Sequence, residues 1–185
     1  MTEQATTRRR GVGTTATRAA GTALALGALA VLAACGDDAE PTDPPPAPDS
    51  VTGYERTRQD VLAAVQDVYG TEGWADDDGG ASATAQDDGR CVVFLPDAST
   101  THAGGEGYDL LADVPDALAP VLDAHGFGEP SDVVEAEHGG TASVEAEDPA
   151  GWSVRVTADG DVVRLDVSGP VDLDPCDEAG LPEPG

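Results

Sequence analysis

The chain has 185 residues with 36 acids against nine basic residues, a formal net charge of −27, and only seven aromatic residues. So acidic a surface repels nucleic acid and anionic lipid, which excludes the usual binders of either. Its ordinary structural role is to keep the chain soluble.

The first twenty residues carry Arg8, Arg9, Arg10 and Arg18 against one acid, Glu3, and residues 21–34 hold no charge. A charged start followed by a short apolar run is a signal-peptide layout. The run is shorter than the roughly 20 apolar residues a spanning helix needs. Thr7-Arg8-Arg9 is similar to a twin-arginine export signal, but Arg10-Gly11-Val12 lacks the bulky apolar pair expected there, which favours general secretion.

The run ends in Leu32-Ala33-Ala34-Cys35, which resembles the lipobox of bacterial lipoproteins. The resemblance implies cleavage between Ala34 and Cys35 and acyl chains, palmitate among them, on the Cys35 thiol. Two or more chains make such an anchor durable. It further implies a product lipid-anchored to the extracytoplasmic face of the cell membrane. The alternative is an ordinary secreted protein whose signal ends at the small residues Ala33 and Ala34. From Cys35 onward the chain keeps five arginines, no lysine and 35 acids, a net charge of −30.

With Cys35 assigned to the lipid, Cys91 and Cys176 remain as an even pair, which in an exported protein reads as a disulfide. A reactive thiol would need an electropositive setting, and only Arg90 beside Cys91 offers one.

Residues 36–50 contain five prolines and no large apolar residue. They read as a disordered, extended tether, which at ~3 Å per residue would hold a domain on the order of 40 Å from the bilayer. The globular part is therefore expected to begin near Val51 and to run to residue 178, with residues 179–185 as a loose tail.

Thr52 and Glu55 have capping-box spacing and open a helical face of Tyr54, Val61, Leu62, Val65, Val68 and Tyr69, closed by Gly70. Ala81 to Ala85 reads as a weak strand and Cys91 to Leu95 as a buried one stopped by Pro96. Residues 98–107 are small and polar and read as a loop. Leu111, Val114, Leu118, Val121, Leu122 and His125 keep helical spacing before Gly126; Pro115 and Pro120 require either two short helices or one kinked one. Alternation then recurs through Val134 and Ala136; Ala142, Val144 and Ala146; Trp152, Val154 and Val156; and Val163, Leu165 and Val167, with glycine turns between. That is a four-strand antiparallel meander.

The expected fold is α+β: two helices on one face of an antiparallel sheet of about five strands, in the order helix, strand, helix, meander, with one disulfide. This order, with a helix ending in His125-Gly126-Phe127 and a last strand ending near Gly169-Pro170 and Cys176, resembles a type of small actinobacterial lipoprotein that carries no assigned activity. The resemblance implies the architecture only.

Candidate chemistry is sparse. No Gly-x-Ser-x-Gly elbow occurs, and without lysine after the signal a Ser-x-x-Lys site is impossible there. His102 beside Ser99, Thr100 and Thr101 is the nearest approach to a reactive cluster, although triads converge from separated segments. His102, His125 and His138 lack zinc-ligand spacing. His125 sits where a cation suits a helix end. Asp76, Asp77, Asp78, Asp159 and Asp161 lie on Asp- and Gly-rich turns that offer oxygen ligands for calcium, yet none fits an EF-hand, and Asp-Gly is equally a turn signal. Paired carboxylates for glycoside hydrolysis would want an aromatic-lined cleft, and the chain has few aromatics to build one. Trp74 and Trp152 suit the core or its rim. No cofactor and no catalytic residue are expected. The reading is a monomeric, non-enzymatic binding or interaction module at the cell envelope, with an envelope protein or ligand as partner; the alternative is a small hydrolase or ligand-binding lipoprotein serving wall metabolism or transport.

Overall fold

The computed structural model describes residues 43–76, 79–101 and 106–182. Three helices cover one face of an eight-stranded antiparallel sheet. The helices are α1 (Ala47–Tyr69), α2 (Glu106–Leu111) and α3 (Val114–Ala124). The strands are β1 (Ala75–Asp76), β2 (Ser82–Ala85), β3 (Cys91–Phe94), β4 (Ala98–Thr101), β5 (Val134–Glu135), β6 (Thr141–Glu147), β7 (Ser153–Asp159) and β8 (Val162–Val171). None of the described helices is long and apolar enough to cross a membrane.

Ten-residue β8 is the axis of the sheet. On one side its residues from Val162 to Ser168 pair with β7, which leads to β6 and β5. On the other side β4 takes its first half and β3 its second. From the Phe94–Ser168 pair to the Ala98–Leu165 pair, the β3–β4 strand advances four residues while β8 advances three. The extra residue is a β-bulge centred on Pro96, which has no N–H to give the ladder. Outside this broken strand lies another, β2 against β3 and β1 against β4. Eight strands thus fill six positions, one more than the expected five, because Pro96 divides one position into β3 and β4, and β1 and β2 share another.

A buried arginine fixes the bulge. Arg58, on the inner face of α1 and only 5% exposed, donates from Nε to the carbonyl of Pro96. Its two other nitrogens reach Asp76 on β1 at 2.5 Å and Glu55 one turn back at 3.2 Å. Buried charge persists only when its hydrogen bonds are met, and here one side chain ties helix, bulge and edge strand together.

Three expected boundaries move. Helix α1 begins at Ala47, with Pro46 as its N-cap and a proline in its first turn. Proline suits that turn because its missing N–H has no intrahelical partner to lose. Ala47 is fully buried, so residues 43–50 belong to the fold rather than to a disordered tether. The expected capping box does not form: Thr52 lies inside the helix, its hydroxyl bonded to the carbonyl of Pro48. Ala98 to Thr101 is a strand, not a loop, because Ala98 and Thr100 face the core while Ser99 and Thr101 face outward. At the other terminus Asp177 caps a short 3-10 turn, Glu178–Gly180, and Leu181 packs on the core, so the chain is ordered beyond residue 178. Of the two alternatives the chain takes two helices, α2 and α3, with Pro115 in the first turn of α3 and Pro120 accommodated inside it.

The core is the space between the inner sheet face and the helices. Val144, Val154, Val156, Val163 and Leu165 line the sheet, and Val61, Val65, Leu111, Leu118 and Leu122 come from the helices. Cys91 and Cys176 form the disulfide, joining the start of β3 to the segment beyond β8.

Candidate functional site

The four-strand alternation of the meander has a second consequence. Residues that do not face the helices form a polar grid on the opposite face of the sheet, which no described helix covers. Register places Glu145, Arg155 and Asp166 side by side across β6, β7 and β8. The next row holds Ser143, Thr157, Arg164 and Ser99. Glu147, Ser153, Ser168 and Phe94 form the row beyond Glu145.

Charges alternate in sign over this surface. Arg155 Nε lies 2.8 Å from Glu145 Oε1, and Arg164 Nε lies 3.3 Å from Asp97 Oδ2 at the bulge. Opposite charges at neighbouring strand positions stabilise the sheet modestly, since both partners remain hydrated. Two of the five arginines after Cys35 are here, on a chain of net charge −27. Apolar side chains flank the grid at both ends, Phe94 at 43% and Val134 at 59% exposure.

Asp166 differs from the other acids. Half-burial in the grid, chiefly, with the charge of Asp97 adding to it, holds its carboxyl above the ordinary carboxylate range against the pull of Arg164 and Arg155. Thr157, Asp159, Val162, Arg164 and Asp166 line a shallow depression of about 180 Å³. A half-buried carboxyl with a raised proton affinity is a recognised mark of functional sites. The sign of its effect on folding follows directly. Stability from this group is fully present below its unfolded pKa and is lost as pH rises through the folded value. Asp166→Asn is therefore expected to melt higher than the parent at pH 7, with the difference vanishing as the pH approaches about 4. An equal or lower melting temperature at pH 7 would contradict this.

The other sequence candidates are dispersed. Cys35, Ala34, Asp77, Asp78 and His102 lie outside the described residues. Asp76 is engaged by Arg58, whereas Asp159 and Asp161 sit exposed at the β7–β8 turn. Among the described residues no group of three or more His, Cys, Asp or Glu is placed to hold a metal ion. Ser99 and Thr101 face away from Thr100, so the run beside His102 does not point to one spot. His138 is exposed in the turn before β6.

His125 lies at the end of α3, as expected, but with partners from another element. Its Nδ1 is 3.1 Å from Thr57 Oγ1 and its Nε2 is 2.9 Å from Asp60 Oδ2, both on α1. Hydroxyl, imidazole and carboxylate follow one another as in a triad. Thr57, however, is only 4% exposed, and its hydroxyl also faces the carbonyl of Gly53 at 3.5 Å. A substrate carbonyl has no approach to that oxygen, and the arrangement lashes α3 to α1.

No family model and no curated protein matches the chain. It is similar to the crystal structure of a DUF4853 family protein from Actinomyces odontolyticus ATCC 17982, at a TM-score of 0.41 and 11% identity over 71% of this chain and 75% of that one.

Sequence reading did not single out Arg155, Arg164, Asp166 or Glu145. The available signal was alternation: each sits beside a buried valine, alanine or leucine on its strand. Which of them stand opposite one another depends on hairpin register, and on the bulge that brings Asp97 to Arg164.

Proposed function

We propose that the chain is an exported lipoprotein, cut before Cys35 and lipid-anchored there, whose acidic domain is a non-enzymatic binding module. On this reading it presents the uncovered face of its sheet to a polar partner at the extracytoplasmic side of the membrane. The observation that carries it is the grid of alternating charges and hydroxyls, a flat surface suited to contact rather than to enclosing a substrate. The lipobox-like Leu32-Ala33-Ala34-Cys35 and the charged leader before it support the location. The disulfide is consistent with export, since such bonds persist in oxidising compartments.

One observation favours the second reading, a small hydrolase or ligand-binding lipoprotein: the raised proton affinity of Asp166 in its depression. A pronounced rise in melting temperature with one small solute would support it.

The anchor is tested by expressing the full chain in a host that processes lipoproteins and supplying an alkyne-bearing palmitate. The expected result is a labelled protein in the membrane fraction, with label and membrane retention both lost in Cys35→Ser. Label retained by Cys35→Ser would contradict the assignment.

A further inference from the structure

The acidic spacer after Cys35 is shorter than its composition suggests, because its last part is built into the sheet. Pro45 accepts a hydrogen bond from the backbone N–H of Asp172 at 2.9 Å. Pro46 forms a parallel bridge with Asp172, one residue past the end of β8. Residues 43–46 thus lie as a strap against the extension of the central strand. The strap borders a groove of about 540 Å³ whose other lining includes Arg90, Cys91, Leu173 and Cys176. The disulfide pins this same extension to β3.

From these contacts we infer that the strap sets which end of the domain faces the membrane. The inference rests on the lipid attachment at Cys35 proposed above. The docked chain leaves the fold at the end of the sheet where β8 finishes and β3 starts. Eight chain steps separate Cys35 from Asp43. Fully extended they reach at most about 28 Å, less than the 40 Å a free spacer to Val51 would allow. The turn at residues 86–90, the disulfide and the groove are membrane-proximal. The tips of the β5–β6 and β7–β8 hairpins, with Gly160 and Asp161, point away by the length of β8, roughly 33 Å for its ten residues. Exposed Asp87, Asp88, Asp172, Asp174, Asp177 and Glu178 rim the near end against Arg90 alone. An anionic bilayer repels that rim, so this end is held to the membrane by the strap and not by charge, and the uncovered sheet face lies to the side of the attachment.

The test uses the full lipidated chain with a single dye at Asp87→Cys or, separately, at Asp161→Cys, both exposed turn positions. Each protein is placed on vesicles of phosphatidylcholine and phosphatidylglycerol that carry an acceptor dye in their headgroups. Transfer from position 87 is expected to exceed transfer from position 161 several-fold. Inserting ten Gly/Ser residues after Glu40 should lower both transfers. Equal transfer from both positions, or greater transfer from 161, on protein that binds the vesicles would overturn the inference. Failure to bind them at all would instead overturn the lipid anchor on which it rests.

Discussion

Replacing Cys91 and Cys176 by serine is expected to lower the stability of the domain by about 4 to 5 kcal/mol in the chain-entropy treatment, because the bond closes a loop spanning 85 positions. For a small domain this is a large share of the whole, and a fall in melting temperature of about 15 °C or more follows. The loss has a local part as well. Cys176 holds the extension of β8 that receives Pro45 and Pro46, so amide exchange at Asp172 should quicken more than at Val156 in the middle of the sheet. Thermal unfolding of the double variant beside the parent measures the first effect and hydrogen exchange the second. A change of less than about 2 kcal/mol would mean that the unfolded chain is already compact without the bond.

A second large effect is expected at Gly169, which faces the helices from β8 opposite Val93. A Cβ there would lie 2.2 Å from Cγ of Trp152, with two more ring atoms within 2.6 Å. The indole is fully buried and stacks on Tyr54 at 3.9 Å between centroids, the rings 6° from parallel. Phe127 meets Tyr54 edge-on at 6.2 Å, and the Tyr54 hydroxyl donates to Asp148. Asp148 Oδ1 in turn accepts the backbone N–H of Trp152 at 2.8 Å. Burial of Tyr54, and secondarily its bond to Asp148, raises the phenol above its ordinary range, so the hydroxyl stays protonated as donor. Gly169→Ala must displace the ring or bend β8, and either forfeits much of what Trp152 contributes, about 3 kcal/mol or more. Chemical denaturation gives the magnitude, and a red shift of tryptophan emission in the native variant reports the displaced indole. Parent-like stability would show that the strand yields at no cost.

What the sequence made legible, and what it hid, divides along physical lines. The meander could be read because Val144, Val154, Val156 and Leu165 recur every second residue and glycines mark the turns. The disulfide followed from an even count once Cys35 was set aside. Strand β4 was hidden because Ala98-Ser99-Thr100-Thr101 has no large apolar residue; its burial comes from the neighbouring β8 rather than from its own composition. The start of α1 was hidden behind prolines that break helices in their interior but are tolerated in the first turn. Arg58 drew no notice in the sequence, since only the bulge at Pro96 and the edge strand at Asp76 make a buried guanidinium satisfiable. The candidate surface was half legible. The signal for Arg155, Arg164 and Asp166 was their place between alternating apolar residues, whereas their arrangement as a grid required the register of the hairpins and one bulge.

The central claim is that the uncovered sheet face, and not the helical layer, meets the partner. A photo-crosslinking side chain placed at Thr157, in the middle of the grid, and in a second protein at Asp116, on the exposed side of α3, tests it in intact cells. The account predicts a discrete covalent adduct from position 157 that disappears when Arg155 and Arg164 are both replaced by alanine, and none from position 116. A discrete adduct from position 116 with none from position 157 would contradict it.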